Sequence, residues 1–145
     1  PGAFNNYFEC NDTLTGHIFE GTIKWKGTET LPLSLLVAAN FYGADTRHAN
    51  GNLFYSTYIE LCYSGTCKSA DYDLFAGFTP NKPTDNDKLS GITRGFYGNT
   101  MGFVNLGIKV KKEIKITNDF TLPISTSFVV NPMAENVFLV FGFTL

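Results

Sequence analysis

The sequence is poor in charge, cysteine and histidine, and each shortage excludes a class of protein. Charged residues make up 17% of the chain and the formal net charge is −2, so the chain offers no basic surface to neutralise a phosphate backbone. We therefore expect no nucleic-acid partner. Two histidines and three cysteines do not show metal-ligand spacing, and no glycine-rich phosphate motif is present. The sequence predicts no metal, no cofactor and no enzyme.

Long apolar runs are also missing. The longest charge-free stretch in the first half of the chain, residues 30–44, contains Pro32, Ser34 and Asn40. A bilayer-spanning helix needs about 20 mostly apolar residues, so no transmembrane helix is predicted.

Aromatic and β-branched residues are plentiful. The 145 residues are 43% hydrophobic and 15% aromatic, which excludes a disordered chain and predicts one domain over residues 1–145. Side chains alternate between apolar and polar along most of the sequence, as in half-buried β-strands. The alternation predicts about eight strands, at 4–9, 19–25, 31–41, 53–63, 72–79, 104–116, 120–131 and 137–145.

The strand lengths favour a membrane. Most of these strands are longer than the usual five or six residues of a soluble sheet, and a membrane-spanning strand needs about 9 to 11. The longer connections, such as 44–52 and 80–100, alternate with tight turns, such as 117–119. Outer-membrane barrels show this asymmetry between their two ends. The fold class predicted is therefore all-β: an antiparallel up-and-down transmembrane β-barrel.

Alternation assigns a face to every strand residue. We predict that the apolar set, which includes Val104, Ile108 and Phe128, meets lipid, because a Lys or Arg at mid-bilayer costs about 2–4 kcal/mol. The charges within the strands then point inward, where they either line a pore or form internal ion pairs. A soluble lipocalin-like barrel that binds an apolar ligand would need the reverse assignment. The predicted lumen-facing charges are Glu20, Lys24, Glu60, Asp73, Lys109 and Lys111.

Two cysteines flank a possible hairpin. If Ser64 and Gly65 form a two-residue loop, Cys62 and Cys67 face each other on adjacent strands and could form a disulfide. The alternative is a looser turn over residues 68–71, which leaves two unrelated strand cysteines.

The loop at 80–100 carries the candidates for contact with a partner or surface glycan: Lys82, Arg94, Phe96 and Tyr97. The alternative is a solvated loop without a ligand. His48, in the loop at 44–52, is interpreted as a solvated loop residue.

Several stretches together resemble the TorF-like porin family of small outer-membrane β-barrels from Gram-negative bacteria. They are TGHIFEGTIKW at 15–25, YSTYIELCYS at 55–64, DLFAGFTP at 73–80 and the final VNLGIKVKKEIKITNDFTLPISTSFVVNPMAENVFLVFGFTL at 104–145. The resemblance covers residue 15 to the end, and the chain as a whole is similar to the last eight strands of a barrel of about twelve. At Asn81 the chain departs from the family pattern, which has an aromatic residue after Thr-Pro.

The resemblance implies a bacterial outer-membrane protein with passive passage of small solutes. It also implies a lipid bilayer as surroundings and recognition of the apolar C-terminal strand by the barrel-assembly machinery. Association with other membrane proteins or with further copies of the chain is a further expectation. The rival function is a non-conducting barrel with a structural or surface-interaction role.

Overall fold

The computed structural model describes residues 8–144. Seven antiparallel strands form one up-and-down sheet whose spatial order follows the chain. A single short helix lies in the longest connection. The elements are β1 (Ile18–Trp25), β2 (Leu33–Gly43), β3 (Thr57–Cys67), β4 (Ala70–Thr79), α1 (Asp85–Leu89), β5 (Gly102–Lys115), β6 (Thr121–Asn131) and β7 (Asn136–Phe143).

The all-β, up-and-down prediction is confirmed, and seven predicted strands have counterparts. The eighth, at 4–9, lies outside the described residues except for Phe8 and Glu9, which are not in a strand. The predicted strand at 53–63 is displaced toward the C-terminus. It begins at Thr57, because the backbone turns at Tyr55, whose φ is 50°.

Of the two turns considered between β3 and β4, the structure has the one within residues 68–71 and not the one at Ser64 and Gly65. The strand continues to Cys67, and the turn falls at Lys68 and Ser69, where Lys68 adopts a φ of 57°. A residue in the left-handed region supplies the tight reversal that such a short connection needs.

Registers in the last three strands show how alternation produces two different faces. Ile108 lies opposite Phe128, which lies opposite Leu139, and all three side chains are exposed. One residue along, Lys109 lies opposite Ser127. Successive strand residues point to opposite sides of a sheet. We call the side of Ile108 and Phe128 the apolar face, and the side of Lys109 and Ser127 the polar face.

The described residues group into two compact units. The first contains 8–23, Leu36–Ile59 and Thr79–Gly102, and the second contains 24–35, Glu60–Phe78 and 103–144. In the first unit the fully buried side chains are polar: Asn40, Ser56, Thr79 and Asp87.

In the second unit Val104 is buried and Phe103 is half-exposed, the reverse of the predicted faces at this point of β5. The exposed apolar side chains of the predicted face resume at Ile108. Among residues 8–144, no helix has the length and apolar character needed to cross a membrane.

Candidate functional site

Three strands bring opposite charges together on the polar face of the second unit. The Nζ of Lys111 in β5 lies 2.8 Å from Oδ2 of Asp73 in β4. The hydroxyl of Ser64 in β3 donates to the other Asp73 oxygen at 2.7 Å. Lys111 remains half-exposed and Asp73 about one-fifth exposed. Two of the six predicted inner charges therefore form an ion pair.

The other four predicted charges lie along the strands with different exposures. Glu20 and Lys24 are exposed on β1, while Glu60 on β3 and Lys109 on β5 are partly buried. Lys109 and Lys111 line a shallow pocket of about 700 Å³, together with Thr66 and Asp71. Thr66 donates its hydroxyl to Asp71 at 2.8 Å. This part of the polar face therefore combines both signs of charge with hydroxyl groups.

A second polar network is buried in the first unit, around Asp45. Its carboxylate accepts hydrogen bonds from the backbone N–H of Thr46 at 2.9 Å and of Ser56 at 2.8 Å. The side-chain amide of Asn40 lies 3.4 Å from the same carboxylate. A buried carboxylate persists where donors replace its lost water, and here they come from two loop residues and from β2.

A third cluster joins the two longest loops through Asp87 of α1. The Asp87 carboxylate accepts hydrogen bonds from the Ala49 N–H at 2.7 Å and from the N–H and hydroxyl of Thr84 at 2.8 and 2.7 Å. The Nδ1 of His48 lies 2.7 Å from Asp87 Oδ2. Because an ionised carboxylate only accepts, Nδ1 carries the proton in this contact. We call Asp87, Thr84, His48 and Ala49 the Asp87 latch.

The latch also fixes the ionisation of Asp87. Burial alone would raise the pKa of its carboxyl, but the hydrogen bonds from Ala49, His48 and Thr84 outweigh burial and hold the pKa far below its usual range. The ring of His48 stacks on Phe54 at 4.0 Å between centroids. His48 is therefore only partly solvated: its side chain is 28% exposed, and it stacks on Phe54 and hydrogen-bonds to Asp87.

The predicted contact residues of the long loop separate into two groups. Lys82, Arg94 and Phe96 are exposed. Tyr97 instead packs on Tyr58 of β3, with 5.7 Å between ring centroids, and Phe96 meets Tyr97 edge-on at 4.9 Å. Burial raises the pKa of the Tyr97 hydroxyl, and the carboxylates of Glu20 and Asp45 raise it further. The end of the loop thus reaches toward charges of the first unit.

Of the two alternatives for the strand cysteines, the structure does not have the disulfide: Cys62 and Cys67 are free thiols. Both lie on β3, at positions of opposite parity, so their side chains point to opposite faces. Five residues of extended strand span about 16 Å, more than twice the reach of a disulfide. The structure therefore agrees with the alternative of two unrelated strand cysteines.

The Asp87 latch is not among the predictions from the sequence, although the signal for half of it is local. Thr84 and Asp87 form a capping box, in which each side chain accepts the other residue's backbone N–H. The spacing Thr-x-x-Asp is readable in the sequence. The other half is not readable, because His48 and Ala49 come from a different loop.

Among the described residues, no group of three or more His, Cys, Asp or Glu side chains is placed to hold a metal ion. No known family model, curated protein or solved structure matches the chain.

Proposed function

We propose that the protein is a non-enzymatic β-barrel of the bacterial outer membrane that provides a passive path for small solutes. The observation that carries the proposal is the inverted distribution of side chains. Ser56 is fully buried and Asn40 and Thr79 are 1% exposed, whereas Phe128, Leu139 and Phe141 are 44–72% exposed. A water-soluble protein rarely leaves so many large apolar side chains uncovered. Exposing apolar side chains to water costs free energy, whereas exposing them to the hydrocarbon of a bilayer does not.

The continuity of the apolar face supports a lipid-facing role. On β6 and β7 the exposed apolar side chains follow one another across the sheet, at Phe128 and Leu139 in one row and at Val137 and Phe141 on either side. The long strands, such as β2 and β6 with 11 residues each, match the about 9 to 11 residues of a tilted membrane strand.

A barrel in lipid must close, because an unpaired strand edge has no hydrogen-bond partner in hydrocarbon. In a seven-stranded antiparallel order, β1 and β7 run in the same direction. Antiparallel closure then requires an odd number of additional strands. The strand predicted at 4–9 would supply one, and the larger barrel implied by the family resemblance would supply more.

The solute path would follow the polar face. Ser64, Asp73 and Lys111 form a charged, hydrogen-bonded group there, and Lys109 lies on the same strand as Lys111. Because charges of both signs are present, we expect little preference between anions and cations. Recording from refolded full-length protein in planar bilayers tests this, since a solute path predicts discrete conductance steps. Silence from every preparation would refute the channel.

A non-conducting barrel is the second candidate, and one observation favours it. The side chains of Asn40, Ser56 and Thr79 lie in the first unit and are at most 1% exposed. Narrow barrels are filled by side chains in this way and have no water channel. Swelling of liposomes that contain the protein distinguishes the two candidates, because only a channel lets small sugars equilibrate.

The soluble lipocalin-like barrel predicts an apolar interior. The buried apolar side chains of the described residues are Ala38, Phe54 and Val104. Phe54 packs against His48 rather than lining an apolar cavity. Phase partition tests this alternative directly: the membrane proposal requires the protein to enter the detergent phase, and persistence in the aqueous phase without detergent would refute it.

A further inference from the structure

The loop between β4 and β5 contacts residues 48–58 at several points. The Asp87 latch holds its helical part to His48 and Ala49. At the start of the loop, the Asn81 side chain donates to the Phe54 carbonyl at 2.9 Å and accepts from the Thr57 N–H at 2.7 Å. The loop is therefore anchored before and within α1.

The far end of the loop is anchored as well. A Cβ at Gly95 would lie 3.3 Å from the Phe54 ring, so this backbone passes directly against Phe54. Tyr97 lies against Tyr58, which has the same strand parity as Ser64 on the polar face. The carboxylates of Glu20 and Asp45 are near enough to help raise the pKa of the Tyr97 hydroxyl. The end of the loop thus packs on Phe54 and on Tyr58 of β3.

The anchors at the start of the loop and in α1 are polar. Leu89, the last residue of α1, is 86% exposed, so the helix does not hold the loop by apolar packing. The Asp87 side chain is 2% exposed and gathers four donors from three residues. A buried acceptor with several donors is costly to disturb, since each donor left unpaired loses its hydrogen bond without regaining water.

We propose that residues 80–100 form a lid over the part of the solute path that lies in the first unit, beside Tyr58, and that the Asp87 latch keeps this lid closed. The inference rests on the proposed channel and adds the element that regulates it. Release of the latch frees α1 and the segment through Tyr97 and gives solutes access to the polar groups of the first unit that this segment packs against. Passage through the wild-type protein is limited by the closed lid.

Asp85 provides a matched control for Asp87. Both carboxylates belong to α1, but the Asp85 side chain is 98% exposed and meets only Lys88, at 3.5 Å. Asp87→Asn and Asp85→Asn therefore remove the same charge from the same helix, and only the former disrupts the latch. His48→Ala removes one hydrogen-bond donor to Asp87 and the ring stack on Phe54. It replaces Asp87→Asn as the latch variant if Asp87→Asn fails to fold.

Hydrogen exchange of the full-length protein in lipid vesicles tests the latch. We expect Asp87→Asn to raise exchange of the Ala49 amide and of residues 84–97 about tenfold or more, because it weakens charge-assisted hydrogen bonds. His48→Ala should raise it less, and Asp85→Asn should match the wild type. Equal exchange in Asp87→Asn and Asp85→Asn would overturn the inference.

Planar-bilayer recording of the same variants tests the lid. We expect the open probability of Asp87→Asn to rise several-fold and to approach that of a variant lacking residues 84–98. If the wild type conducts and Asp87→Asn has the same open probability, the lid is refuted, but the channel is not. Silence of the wild type, Asp87→Asn and the deletion variant overturns the channel and the lid together.

Discussion

A charge placed on the apolar face distinguishes lipid from water as its surroundings. Phe128 is the residue of choice, because it lies mid-strand between Ile108 and Leu139 and is 44% exposed. If this face meets lipid, Phe128→Lys places an ammonium near the bilayer midplane. The expected cost is about 2–4 kcal/mol, which lowers the folded-to-unfolded ratio about 30- to 1,000-fold.

Phe120→Lys is the matched control for Phe128→Lys. Phe120 is exposed to a similar degree but lies in the turn between β5 and β6, where the cost near the membrane surface falls to about 0–1 kcal/mol. In water the two substitutions would instead be nearly equivalent, because each exchanges an exposed aromatic residue for an exposed Lys, a change usually within about 0.5 kcal/mol. The difference in unfolding free energy between the two variants therefore shows whether the apolar face meets lipid or water.

Reversible urea unfolding from phospholipid vesicles measures the difference. Trp25 is the only tryptophan and half-exposed at the end of β1, so its fluorescence reports transfer from lipid to water. We expect the midpoint of Phe128→Lys to fall well below that of Phe120→Lys. Equal midpoints, or a more stable Phe128→Lys, would refute the assignment of the apolar face to lipid.

Four further outcomes are expected. Gly107→Ala should cost about 1–3 kcal/mol of stability, because its Cβ would lie 2.5 Å from the Phe75 ring, whereas Gly21→Ala, with 3.8 Å of room, should cost little; equal losses would contradict this. A double-mutant cycle on Asp73 and Lys111 should give a coupling energy below about 1 kcal/mol, since the pair is partly solvated; a value several times larger would indicate a dry interior. Without reductant, the unfolded chain should react with three equivalents of maleimide, because all three cysteines are free; one equivalent would reveal a disulfide. The Asp87 carboxylate has a lowered pKa, so its contribution to stability is complete above about pH 4 and lost as the pH falls below it; Asp87→Asn should flatten acid unfolding in that range, and an unchanged profile would contradict the latch.

The sequence by itself determined the class of fold and the alternation of side chains along the strands. Alternation has a period of two residues, and any strand that exposes its two sides to different surroundings must show it. The pattern around Ile108, Phe128 and Leu139 is therefore present in the chain before any tertiary contact forms. Up-and-down connectivity follows as well, since short connections such as 117–119 join neighbouring antiparallel strands.

Local deviations limited that prediction. The sequence allows the turn after β3 either at Ser64 and Gly65 or over residues 68–71, because glycine is the usual residue for a tight reversal but does not require one. The structure turns at Lys68, whose φ of 57° lies in the left-handed region. This conformation is uncommon for residues other than glycine, so the sequence does not indicate it. The reversed exposure of Phe103 and Val104 has no local signal of this kind.

Only the tertiary structure decided which polar groups meet. Asp87 and Ala49 are far apart in the sequence, as are Asp73 and Lys111, and no spacing rule connects either pair. Strand order brings the second pair together, and the return of a long loop brings the first. Periodicity encodes which side of a sheet a residue occupies, whereas contacts between loops depend on where the folded chain carries each loop.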